Sequence, residues 1–179
     1  MSINRGALVY VDLAADLKER GRDFHMTLIG EYTQPVNEKL QQRITDLQIE
    51  DVITVTGRMD WLEAMQHVSN ARVGLCLLQP TPNYQSCLST KIIEYMMLGT
   101  PVLASNFDCW RPFVEGERVG LMVDPTDRTR IANACEAMLD DPQALQAMSE
   151  RGQRAVREKY NWQTEFKNLR TCYRELLEK

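Results

Sequence analysis

The residues best placed to do chemistry lie between Gln79 and Ser105, in the run QPTPNYQSCLST followed by KIIEYMMLGTPVLAS. Ser86, Ser89 and Thr90 are helix-capping types, and a helix opening there would aim its first unpaired N–H groups at an anion. Lys91 adds a positive charge beside those amides. Glu94 stands one turn further in, and its carboxylate offers two acceptor oxygens, which suits the vicinal diol of a ribose. Diphosphate at the helix start and ribose at the carboxylate together describe a nucleoside diphosphate. The same spacing also suits an exposed i,i+3 ion pair worth about a few tenths of a kcal/mol. Residue types alone leave both readings open.

The elements around these residues follow from periodicity and punctuation. Ile92, Ile93, Met96 and Met97 recur at helical spacing, Gly99 fits a left-handed C-cap, and Pro101 blocks continuation. Val102–Ala104 is apolar without alternation, as in a parallel strand covered on both faces. Upstream, a helix is predicted from Arg5 to Arg20, a strand at Phe24–Ile29, a helix from Val36 to Leu47, and a strand at Val52–Val55. Asp60 with Glu63 makes a capping box for a helix from Trp61 to Val68, and Arg72–Leu78 reads as a strand before a loop at 79–87. Gly120–Val123 is a further strand, and helices at Asp127–Leu139, Pro142–Lys159 and Trp162–Glu178 close the chain. Strand and helix alternating through short loops predict an α/β fold with a doubly wound parallel sheet.

Composition narrows the function classes. A chain of 179 residues with no Pro/Gly/Ser-rich linker predicts one domain over 1–179. A net charge of −4 and the lack of a long Lys/Arg run argue against a nucleic-acid partner. The five cysteines are widely spaced, odd in number and free of CxxC, which fits reduced thiols in a cytoplasmic protein. No apolar run is long enough to span a bilayer, and MSINRG has no signal-peptide core. His25 and His67 fall in strand and helix patterns and are expected to be non-catalytic, while the three tryptophans are expected to be packing residues or helix-edge anchors and Met96 and Met97 core fillers.

The run PNYQSCLSTKIIEYMMLGTPVLASNFDCWRPFVE, with GLMVDPTD and the closing EKYNWQTEFKNLRTCYRELLEK, resembles family 4 (group 1) glycosyltransferases of the GT-B fold. The resemblance covers essentially the whole chain. It implies the C-terminal, Rossmann-like, donor-binding half of a two-domain enzyme that uses a nucleotide-diphosphate sugar. Carried over by position, Glu94 matches the ribose-holding Glu of the family's E-x7-E motif. The first Glu of that motif would fall at 86, where this chain has Ser86. The amides of Leu88, Ser89 and Thr90 match the phosphate-cradling helix start, with Lys91 as a further diphosphate contact. Arg5-Gly6 matches the basic-residue–Gly pair whose side chain neutralises the leaving diphosphate. Gly30 and Glu31 match a strand-end Gly-acid pair, and Gly57, Arg58 and Met59 match a segment beside the nucleobase.

On this resemblance Arg5, Lys91 and Glu94 carry catalysis, without a covalent nucleophile. No metal or other cofactor is expected, since no DxD occurs. Transfer would proceed with retention onto a saccharide or lipid acceptor, as in polysaccharide biosynthesis. The family's domain opens with a strand that is central in a 3-2-1-4-5-6 sheet. Only Met1–Asn4 precede Arg5, so that strand is expected to be missing, together with the N-terminal acceptor domain. Residues 161–179 then form a helix that crosses to that absent domain, leaving self-association and peripheral membrane contact through the absent domain open. A non-catalytic nucleotide-binding module is the alternative. An NAD-dependent oxidoreductase is disfavoured because no GxGxxG follows a predicted strand.

Overall fold

The computed structural model describes residues 2–177. A 3-10 turn at Ile3–Arg5 leads through Gly6 into α1 (Ala7–Glu19), then β1 (Met26–Ile29), α2 (Gln34–Asp46), β2 (Ile53–Gly57) and α3 (Trp61–Asn70). There follow β3 (Gly74–Cys76), α4 (Pro82–Ser86), α5 (Thr90–Leu98), β4 (Val102–Ser105), a 3-10 turn at Asp108–Trp110, α6 (Arg111–Val114) and β5 (Gly120–Val123). Helices α7 (Arg128–Leu139), α8 (Pro142–Glu158) and α9 (Trp162–Leu177) complete the chain. All strand pairs are parallel: β1 with β2, and β4 between β3 and β5. Among the described residues no ladder joins β1 to β3, so the strands run β2-β1, a break, then β3-β4-β5. The break falls where the sequence places the missing central strand.

Two apolar layers cover the sheet faces. Leu77, Leu103 and Val123 belong to a cluster with Tyr10, Val11 and Leu13 of α1 and Ile131 of α7. Their neighbours Cys76, Val102 and Ala104 belong to the other cluster, with Ile92 and Met96 of α5, Trp110 and Ala155 of α8. Adjacent strand residues pointing to opposite faces is the period-2 geometry of a strand covered by helices on both sides. All of β4 is buried, as its unalternating apolar run requires.

Helix α5 ends in a Schellman motif. Gly99 N–H donates to the Met96 carbonyl at 3.2 Å, and Thr100 N–H to the Tyr95 carbonyl at 2.9 Å. Gly99 holds φ +74, and a Cβ there would lie 2.6 Å from Gln153 Nε2, a side chain able to swing aside. Gly99→Ala is therefore expected to cost about 1–2 kcal/mol, the penalty of a left-handed residue with a Cβ, read as a lower denaturation midpoint at unchanged m-value.

Several expectations need correcting. The helix expected from Arg5 starts at Ala7, because Gly6 at φ +84 separates it from the 3-10 turn. The expected loop at 79–87 contains α4, which Thr81 caps through Tyr84 N–H with Pro82 in the first turn. The strand at 72–78 shortens to Gly74–Cys76. Met97 is 42% exposed rather than core, whereas the exposed Trp61 and Trp162 stand at the starts of α3 and α9. Glu178, the predicted end of the last helix, lies outside the described residues. The apolar stripe of α9, Phe166, Leu169, Tyr173 and Leu176, stands exposed.

Candidate nucleotide-binding site

The residues singled out by sequence gather at the C-terminal ends of the strands, where an open parallel sheet holds its ligands. Gly30 follows β1, and its N–H donates to the Gly57 carbonyl at 2.9 Å, which ties it to the segment Gly57–Arg58–Met59 after β2. Arg58 is exposed and Met59 half-buried. On the other part of the sheet, Gln79 N–H after β3 donates to the Asn4 carbonyl at 2.9 Å, which sets Arg5 beside the end of β3. Gly6 makes that approach possible, since a Cβ there would lie 2.2 Å from the Leu77 carbonyl oxygen. The start of α5 docks on the same strand: Cys76 Sγ donates to Ser89 Oγ at 3.4 Å.

The helix start is left open to an anion. Ser89 occupies the N-cap position of α5, but its side chain makes no capping hydrogen bond. Ser86, expected to help cap α5, instead donates to the Pro82 carbonyl at 2.7 Å inside α4. Short α4 captures it because Thr81-Pro82 is itself a helix start. Neither Ser86 nor Ser89 thus caps the amides at Leu88, Ser89 and Thr90.

Lys91 and Glu94 are both half-buried, and among the described residues neither makes an ion pair, with the other or with anything else. The surface-pair reading of this spacing therefore fails. Elsewhere charges do pair: Arg43 with Asp12 at 2.7 Å, Arg128 with Asp16 at 2.6 Å, Lys159 with Glu117 at 2.8 Å. Arg5 and Arg58 also lack an ion-pair partner among the described residues. Burial raises the Cys76 thiol, and the charge of nearby Lys91 opposes that rise. Burial also raises the Tyr95 hydroxyl, with Cys76 and Glu94 adding to it.

The sequence reading missed the wall on the other side of the loop. A cavity of about 510 Å³ lies at the ends of β4 and β5, lined by Gln85, Asn106, Phe107, Asp108, Asp124 and Thr126 among others. Asp124 holds its place by accepting from Thr126 N–H and Oγ1 at 2.8 and 2.6 Å, which pull its carboxyl below the ordinary value. Trp110 supports this wall from beneath. It is fully buried, edge-on to Phe107 at 4.8 Å, and its indole N–H donates to the Cys87 carbonyl at 2.7 Å. The Arg-Pro pair at 111–112, with proline in the first turn of α6, was the available sequence signal.

The β3 edge that faces the break is capped by two tyrosines. Gly74 N–H points to β4 through the Pro101 carbonyl, so Leu75 and Leu77 present their backbone groups to the other side. There Tyr95 Oη donates to the Leu75 carbonyl at 3.3 Å, and Leu77 N–H donates to Tyr10 Oη at 3.2 Å. Tyr32 Oη is buried with no partner among the described residues. Among those residues no cluster of three or more His, Cys, Asp or Glu could hold a metal, and no helix is long and apolar enough to cross a membrane.

Comparison with known proteins places this arrangement. Residues 2–155 match the family described as Glycosyl transferases group 1. The chain is 26% identical over 178 residues to alpha-D-kanosaminyltransferase of Streptomyces kanamyceticus, covering 98% of this chain and 44% of that protein. Among solved structures, Anabaena Alr3699/HepE in complex with UDP superposes with TM-score 0.85 at 18% identity, over 97% of this chain and 46% of that one. The C-terminal domain of a glycosyl transferase group 1 family protein (LpcC) from Francisella tularensis superposes with TM-score 0.78 at 17% identity, covering 90% of this chain and 83% of that domain. The fold is thus that of a GT-B C-terminal domain. The chain spans less than half the length of the kanosaminyltransferase.

Proposed function

The chain belongs to the group 1 glycosyl transferases, and on that premise we propose that it binds a nucleoside diphosphate sugar for retaining transfer to a saccharide or lipid acceptor. The observation that carries the reading is the pair Lys91 and Glu94, one turn apart, each without an ion-pair partner among the described residues. They sit on a helix whose N-cap side chain makes no capping bond. Glu94 accepts from the two ribose hydroxyls, and the Leu88–Thr90 amides and Lys91 hold the diphosphate. Gly30, Arg58 and Met59 lie beside the nucleobase. The glycosyl group then extends toward the cavity lined by Asn106, Asp108 and Asp124.

Positive charge aimed at the departing diphosphate is the catalytic device in this reading. As the bond from the anomeric carbon to the diphosphate oxygen lengthens, negative charge builds on the leaving group and the sugar becomes oxocarbenium-like. Arg5, Lys91 and the amides of α5 stabilise that charge in place, with no metal and no covalent intermediate on the protein. The acceptor wall comes from another domain, reached through α9, and the setting is cytoplasmic. A solved relative that holds UDP supports the choice of nucleotide class. Calorimetric titration with UDP, ADP, GDP and NAD tests the reading. Saturable binding of at least one nucleoside diphosphate, tighter than NAD, is expected, and binding of NAD alone would overturn it.

We also propose that the break between β1 and β3 receives an extended parallel strand, whose backbone replaces the bonds that the Tyr10 and Tyr95 hydroxyls now make. Unpaired strand edges invite association, so residues 1–179 alone are expected to self-associate. Adding about ten residues ahead of Met1, enough for a strand of usual length, is expected to raise Tm and yield a monomer by light scattering. A chain that is already monomeric and gains nothing would place the strand elsewhere.

A further inference from the structure

Two cysteines come together beside the loop that opens α5, the thiol of one on the backbone of the other. Cys87 is exposed, follows α4 directly and precedes Leu88. Cys109, half-buried in the 3-10 turn at Asp108–Trp110, sets its Sγ 3.7 Å from the Cys87 carbonyl oxygen. The adjacent Trp110 indole fixes the register by donating to that same carbonyl at 2.7 Å. That contact puts the Cys109 sulfur against the Cys87 backbone, and closing a disulfide, whose Cα atoms stand about 4.4–6.8 Å apart, requires the loop at Cys87 to turn toward it. Both thiols are free. Of the other cysteines, Cys76 and Cys135 are buried and Cys172 is exposed on α9.

We propose that Cys87 and Cys109 form a redox-modification site, closed to an intramolecular disulfide by a low-molecular-weight disulfide, and that closure weakens nucleotide binding at the neighbouring helix start. Exposed Cys87 is the point of entry. Its thiolate attacks one sulfur of the small disulfide, which makes a mixed disulfide and expels one small thiolate. The Cys109 thiolate then attacks the Cys87 sulfur and expels the second. The protein loses two protons and two electrons, and the reagent takes up both electrons to become two thiols. Burial holds the Cys109 thiol above its ordinary value, with Cys87 and Asp108 adding to the rise. Cys109 is therefore the resolving rather than the entering group. Because Cys109 Sγ meets the carbonyl of Cys87, joining the two sulfurs turns the 87–88 peptide. That turn spoils the Trp110 hydrogen bond and displaces the Leu88 and Ser89 amides. The cross-link stands on geometry alone, whereas its effect on nucleotide rests on the donor-site reading above.

The 179-residue chain is incubated with oxidised glutathione, mapped by peptide mass spectrometry and titrated with UDP before and after reduction. A Cys87–Cys109 link is expected, with UDP affinity lowered about tenfold and restored by reductant. Cys109→Ser is expected to stop at a glutathione adduct on Cys87, and Cys172→Ser to behave like the parent chain. Glutathione found only on Cys172, with no link between 87 and 109, would overturn the site. A link that leaves UDP affinity unchanged would overturn the coupling to the helix start. A link in a chain that binds no UDP in either state would support the site while removing the nucleotide reading.

Discussion

Replacing Glu94 with alanine is expected to weaken UDP binding by about 1.5–3 kcal/mol, the scale of hydrogen bonds to a charged group. That corresponds to roughly a tenfold to hundredfold rise in Kd. Among the described residues the Glu94 side chain has no ion-pair partner and no hydrogen bond, so its removal leaves no partner group unpaired. The expected loss is therefore one of ligand contact rather than of fold. Calorimetry decides the magnitude, and an unchanged Tm for Glu94→Ala separates lost contact from lost structure. Glu94→Gln keeps one acceptor oxygen and the side-chain length, and is expected to fall between the two. Full affinity in Glu94→Ala would remove the ribose assignment.

Residues 1–179 alone are expected to transfer no sugar even where UDP binds. The chain spans 44% of the length of the kanosaminyltransferase it resembles, and the site described here is one wall at the ends of parallel strands. Water reaches that wall freely, since Leu88 and Thr90 at the helix start are exposed. Charge stabilisation by Arg5, Lys91 and the α5 amides is strongest where water is excluded. An acceptor hydroxyl also needs to be held against the anomeric carbon, which no element of this chain provides in the proposed reading. Incubation with UDP-glucose and a panel of saccharide and lipid acceptors tests this by product mass. Any glycosylated acceptor would show that one domain holds a complete site.

The parts of the fold with strong periodicity were legible in the sequence. The stretch from α5 to β4 reads directly, because Gly99, Pro101 and an unalternating Val102–Ser105 each point to the same local geometry. The break between β1 and β3 was legible for a different reason: a sheet of known strand order had no segment to fill its centre. Short helices were not legible. Helices α4 and α6 span 5 and 4 residues, too few for a hydrophobic period, and only Thr81-Pro82 and Arg111-Pro112 signal them. That omission also misassigned Ser86, which turns into α4 instead of capping α5. The Asn106–Asp108–Asp124 wall was invisible because its members come from two loops brought together by the β4–β5 pairing. Lys91 and Glu94 were found by type and spacing, but whether they paired with each other depended on side-chain placement, which spacing does not determine.

The central claim, that the start of α5 and Glu94 hold a nucleoside diphosphate, is tested most directly by titrating isotope-labelled protein with UDP and following backbone amide resonances. The account predicts saturable shifts at Leu88, Ser89, Thr90, Lys91 and Glu94, with smaller ones at Arg5, Gly30 and Arg58. In Glu94→Ala the shifts at residues 88–91 are expected to saturate only at roughly tenfold to hundredfold higher UDP concentration. Saturable binding whose shifts leave residues 88–94 untouched would contradict it.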